Sequence, residues 1–187
     1  MPLPFRRSLP ITGAAVVTSA VLSVAQTYAT PAPRVRPETA QTTALLNELL
    51  ERSYTARELV ETLSGTDLVA YVRHRTFTTA TLNGRTGLVR SEAPTRTLIV
   101  EIACQRSWLD QMVTLGHELQ HVVEIAAEPA VVDPPSMVRY FSRIGIRTPG
   151  IEAASFETER AVTTAKRIRQ ELYGNSDHTR IMSHERY

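Results

Sequence analysis

Leucines at 45, 46, 49 and 50 give residues 38–53 the spacing of an amphipathic helix. Residues 56–63 repeat that spacing and are closed by Ser64-Gly65. Alternation then takes over, and residues 67–77 predict a strand. Asn83-Gly84 predicts a hairpin turn between strands at 78–82 and 85–90, and residues 96–104 predict a further strand. Helical spacing returns after Ser107-Trp-Leu-Asp110, which has the form of a capping box. Beyond it, Met112, Leu115, Gly116, Leu119, Val122, Val123 and Ala126 share one face. A last helix is expected between Thr148-Pro149 and Gly174-Asn175, burying Ala154, Ala161, Ala165, Ile168 and Leu172. The elements predict an α+β fold: a small twisted sheet packed on helices, within one domain spanning 38–175. A polar tail follows at 176–187. No internal repeat is present.

The first 29 residues read differently. Arg6-Arg7 precede a mostly apolar run at 11–25, and Ser23-Val-Ala25 and Thr27-Tyr-Ala29 both have the small-x-small form of a cleavage site. The run falls short of the ~20 residues a membrane-spanning helix needs. Residues 1–29 are therefore expected to be a secretory signal, with a mature chain starting at Gln26 or Thr30. Export to periplasm or medium follows, and no stable membrane insertion is expected once the signal is removed. Thr30-Pro-Ala-Pro-Arg-Val-Arg-Pro37 is proline-rich and is expected to be an extended linker.

Charge changes the picture only by exclusion. The chain carries a formal +2, and loss of Arg6 and Arg7 brings it to zero because residues 1–29 hold no acid. A neutral chain offers no electrostatic reason to bind nucleic acid or an anionic membrane. Cys104 is the only cysteine, so no intramolecular disulfide can form, and its expected role is a small buried apolar residue. His74 is expected on a sheet surface.

Candidate chemistry lies on the helix after Ser107. Asp110, Thr114, His117, His121 and Glu124 fall opposite its apolar face. His117-Glu-Leu-Gln-His121 is an H-E-x-x-H sequence. Two histidines one turn apart can hold one Zn²⁺, and Glu118 between them can take a proton from water. The other reading of such a pair is a solvated helix face. A catalytic zinc takes three protein ligands. A glycine at 124 and a histidine at 127 would mark one zinc-peptidase branch, but the chain has Glu124 and Ala127. Glu157 borders the buried face of the last expected helix, whereas Glu152 and Glu159 point nearly the opposite way. Glu157 is the expected third ligand and Glu159 the alternative.

H-E-L-Q-H with a glutamate on a downstream helix resembles the gluzincin branch of the zincin-like metallopeptidases, in particular short single-domain bacterial members. The resemblance spans roughly residues 96–173. It implies a zincin-like fold with an edge strand that pairs with an extended peptide substrate, zinc held by His117, His121 and Glu157, and Glu118 as general base. Many gluzincins place an aspartate four residues after the third ligand. That position is Ala161 here, so Glu124 is expected to orient a histidine instead. No motif marks an oxyanion-stabilising residue; Tyr140, Tyr173 and His178 are the available side chains. The expected function is an exported zinc metallopeptidase acting on a peptide or protein substrate. Two alternatives stay open: an envelope binding module on the same scaffold with a structural metal or none, and a zinc hydrolase of non-peptide amides or esters.

Overall fold

The computed structural model describes residues 33–92, 94–148 and 155–184, without the side chains of 90–92 and 175–184. The expected signal sequence lies outside the described residues. Among them no helix is long and apolar enough to cross a membrane.

Strand β1 (Val35–Pro37) leads into helices α1 (Ala40–Arg52) and α2 (Tyr54–Ser64), then strands β2 (Leu68–Arg75), β3 (Gly84–Glu92) and β4 (Thr95–Ala103). Helices α3 (Trp108–Ala126) and α4 (Pro134–Ile144) follow, then the short strands β5 (Ile146–Arg147) and β6 (Phe156–Glu157) and helix α5 (Glu159–His184). The four long-range strands form one mixed sheet in the order β1-β2-β4-β3, with β3 antiparallel to β4 and the other pairs parallel. The molecule is thus α+β, as the sequence pattern predicts.

Local chemistry explains the element ends. Thr39 and Thr42 form a reciprocal capping box at α1. Ser53 ends α1 through its backbone N–H on Leu49 and starts α2 by accepting from the Ala56 N–H with its hydroxyl. That hydroxyl donates to Glu171 of α5, so the α1–α2 corner is tied to the last helix. Ser107 caps α3, accepting from the Asp110 N–H at 3.2 Å and donating to its carboxylate at 2.6 Å. At the other end Arg96, almost fully buried, forms a two-pronged pair with Asp67 and donates to the carbonyls of Ile125, Glu128 and Val131. The buried guanidinium thus ties the last turn of α3 and the loop that follows it to the Asp67 end of the sheet. Both ends of α3 are therefore fixed.

Helix α3 runs between the sheet and α5. Leu98, Val100 and Ile102 of β4 are buried with Leu115, Leu119 and Val122 of α3 and with Ile168 and Leu172 of α5. Gly116 marks the closest approach of the two helices: a Cβ there would sit 2.1 Å from Cδ1 of Ile168, which is itself fully buried. Glycine to alanine in a helix ordinarily gains about 1 kcal/mol. Here overpacking should outweigh it, and Gly116→Ala is expected to destabilise by about 1–3 kcal/mol. In an Ile168→Val background, which lacks the clashing methyl, the same change should be neutral or stabilising. Thermal melts of the two single variants and the double variant check this.

Four expectations need correction. Residues 35–37 of the expected linker are extended, but they are a sheet strand with Val35 buried. Asn83-Gly84 is not a hairpin turn, because β3 starts there and pairs with the following strand β4, while residues 78–82 form no strand. Gly84 is required by space: a Cβ would meet Thr114 Cγ2 at 2.6 Å and Glu118 Oε1 at 3.0 Å. The last helix begins at Glu159 and continues past Gly174 to His184, so most of the expected tail is helical. One glycine with no proline after it weakens a helix without ending it. Finally, Cys104 is exposed at the end of β4 and contacts the Thr76 hydroxyl. Helix α4 went unforeseen. Its signal was Asp133-Pro-Pro-Ser136, in which Asp133 and Ser136 form a capping box around two prolines of the first turn.

Candidate metal centre

His117 and His121 project from adjacent turns of α3, their rings edge to face with centroids 4.9 Å apart. Both are largely buried. Glu157 comes from outside the helix, where β6 pairs Glu157 with Ile146 of β5. Its Oε2 lies 3.1 Å from His117 Nε2. One ligand atom from each of His117, His121 and Glu157 can be chosen so that all three lie within 4.8 Å of one another. Glu157 was expected on the last helix; it stands in β6, two residues before that helix begins. Glu159 lies exposed in the first turn of α5 and takes no part in the cluster. Glu152 is outside the described residues.

The surroundings fix these groups. Glu124, buried one turn beyond His121, holds His121 Nδ1 with Oε2 at 2.9 Å. Its other oxygen accepts from the Thr158 hydroxyl at 2.7 Å. That hydroxyl also accepts from the Ala161 N–H, so Thr158 caps α5. A single residue thus links the helix start, the orientation of His121 and the neighbouring Glu157. Glu124 occupies the orienting place expected of it. Thr158 and Thr86 were not foreseen. The pair Thr158-Glu159 carried a cap signal that the proline at 149 obscured. Thr86 donates its hydroxyl to Glu118 Oε2 at 2.8 Å from β3. Tyr140 spends its hydroxyl on the Glu124 carbonyl at 3.1 Å, and Tyr173 is exposed on α5. Neither is placed as an oxyanion donor; the side chain of His178 is not described.

Electrostatics follow from this packing. Burial pushes the Glu118 carboxyl above its ordinary range, against the charges of His121 and His117 and the Thr86 bond. Burial opposes charge on His117 too, but the Glu157 hydrogen bond and the charge of Glu118 prevail and raise it. Glu157 is held below its ordinary range: burial works against this, and the bond to His117 and its charge outweigh it. Glu157 Oε2 and His117 Nε2, 3.1 Å apart, thus favour each other's charged forms.

The cluster opens into a cleft of about 1150 Å³ bounded by β3 and α4, with His117, Glu118, His121 and Glu157 among its lining. Two imidazoles and one carboxylate suit zinc. The occupied Nδ1 of His121 leaves Nε2 as the ring nitrogen for a ligand bond, with a buried carboxylate behind it. The donor set therefore fits the expected ion. In comparisons with known proteins, no protein family, no characterised protein and no solved structure matches this chain.

Proposed function

We propose that the protein is an exported zinc-dependent peptidase with a zincin-like fold. The observation that carries this reading is the convergence of His117, His121 and Glu157 on one point in an open cleft, with Glu118 beside them. These three side chains would hold the ion. When bound, zinc supplies Lewis acidity, making water easier to deprotonate and polarising a carbonyl. Glu118 accepts the proton as water attacks the scissile carbonyl and delivers it to the leaving amine. Thr86 holds Glu118 in place from β3, and Glu124 keeps the His121 ring aligned. The Arg6-Arg7 pair, apolar run and small-residue sites support export.

The open cleft favours turnover over a closed structural metal site. Zinc-loaded protein offered a broad peptide library is expected to cleave some members, with new amino termini read by mass spectrometry. A zinc-loaded, folded protein that cleaves none would point to a binding module on the same scaffold.

A further inference from the structure

Four charged side chains gather on the face of the sheet turned away from α3. Glu101 of β4 is 3% exposed. Its Oε1 accepts from Arg73 Nε at 2.9 Å, Arg73 Nη2 at 2.7 Å and Arg75 Nη1 at 2.9 Å, and its Oε2 accepts from Arg85 Nε. One arginine would neutralise a buried carboxylate; three leave a formal surplus of two positive charges. The three arginine side chains are 38%, 46% and 48% exposed. Nη1 of Arg73, Nε and Nη2 of Arg75 and both Nη atoms of Arg85 have no hydrogen-bond partner among the described residues. These are preset donors for an anion.

Their position gives them a use. β3 ends the sheet, so its outer edge has no strand partner among the described residues. Its residues alternate: Thr86 bonds Glu118 on the α3 side, where a side chain at Gly84 would also point, while Arg85 faces Glu101 on the other side. The cleft that contains His117, Glu118 and Glu157 is also lined by Arg85 of this edge strand and, two strands further in, by Arg73 and Arg75 of β2.

On the peptidase reading an extended peptide pairs with the free edge of the sheet, which here is β3; we propose that Arg85, held in its cluster with Glu101, Arg73 and Arg75, selects an acidic side chain next to the residue lodged over Glu118. This rests on the peptidase reading and names its substrate class. In an added strand the residue opposite Arg85 lies on the arginine side, its Cβ about 4.5–5.5 Å from that of Arg85. Its chain neighbours point the other way, toward α3. The substrate is therefore a peptide with aspartate or glutamate at one fixed position beside the reacting segment.

The test is fluorescence anisotropy on the full-length Glu118→Gln protein with added zinc. The probes are labelled octapeptides in which a single glutamate is moved through an otherwise uncharged glutamine-threonine sequence. One glutamate position should bind about 10-fold tighter than the uncharged peptide. Arg85→Gln, which keeps a hydrogen bond for Glu101, should reduce that preference to about 2-fold. Arg85→Lys should keep most of it, and Arg167→Gln, an exposed arginine of α5, should leave it unchanged. Equal affinity for charged and uncharged peptides would overturn the proposal. So would an equal gain at every glutamate position, or a full preference in Arg85→Gln. Binding is read apart from cleavage. Selective binding without any cleavage by the zinc-loaded wild type would remove the peptidase reading and leave acid selection as the property of a peptide-binding edge. Cleavage without acid preference would do the reverse.

Discussion

Glu118→Gln is expected to fold, to keep its zinc and to lose peptide hydrolysis by about 10²–10⁴, the size of a general acid–base contribution. The expectation follows from where Glu118 stands. It lies between the two histidines of the candidate centre in sequence, yet is not part of the His117–His121–Glu157 cluster, and its Oε2 is fixed by the Thr86 hydroxyl. A glutamine oxygen can accept the same hydrogen bond, so the side chain should stay in place. What is lost is proton affinity: an amide cannot take a proton from water and return it to an amine. Gly84 gives the carboxylate its space, since a Cβ there would come within 3.0 Å of Glu118 Oε1. Initial rates on a cleaved peptide, with zinc content measured on the same sample, check this. Wild-type rates in a zinc-replete variant would remove Glu118 from the role of base.

The second large effect is on the metal itself. His117→Ala and His121→Ala are each expected to abolish stoichiometric zinc, because two remaining donors leave a site too open to retain it. Glu157→Ala should weaken binding severely, while Glu159→Ala should leave it unchanged. These two glutamates are neighbours in sequence but not in role: Glu157 bonds His117 from β6, and Glu159 is exposed at the start of α5. Glu124→Ala should fall between, with a loss of about 10–100-fold typical of a group behind a ligand. Competition with a fluorescent zinc chelator gives the five affinities. Equal values for the Glu157 and Glu159 variants would refute the assignment.

Much of this site was legible because α3 is regular. Its cap, its apolar face and its histidine pair all obey one period, and a sequence shows that period directly. The pairing of Glu124 with His121 follows from the same helix, three residues on. Glu157 was named for an incorrect reason. Its place was inferred from a helix face, but its backbone belongs to a two-residue strand whose partner, Ile146, lies beyond the intervening residues. So short a strand has no periodicity to read. The sheet order was hidden for a related reason. β2 pairs in parallel with β1 and β4, which lie far from it along the chain, and local pattern carries no record of such partners. Arg73, Arg75 and Arg85 look like ordinary polar positions of two strands until Glu101 brings them together.

The smallest long-range strand sets a limit on how the chain can be trimmed. β1 is three residues long, yet Glu38 N–H reaches the Val72 carbonyl and Ala70 N–H reaches the Arg34 carbonyl, sealing one border of the sheet. Signal cleavage after Ala25 or Ala29 would spare it. Arg34, however, is the kind of residue after which trypsin-like proteases cut, whereas Pro37 shields the bond after Arg36. A nick there would strip β2 of its neighbour, leave Val35's place in the core empty and bare a row of peptide groups ready to pair with another molecule. On the proposed export, endurance among foreign proteases would then depend on how firmly these few residues stay zipped to β2, some distance in sequence from the His117–Glu157 cluster.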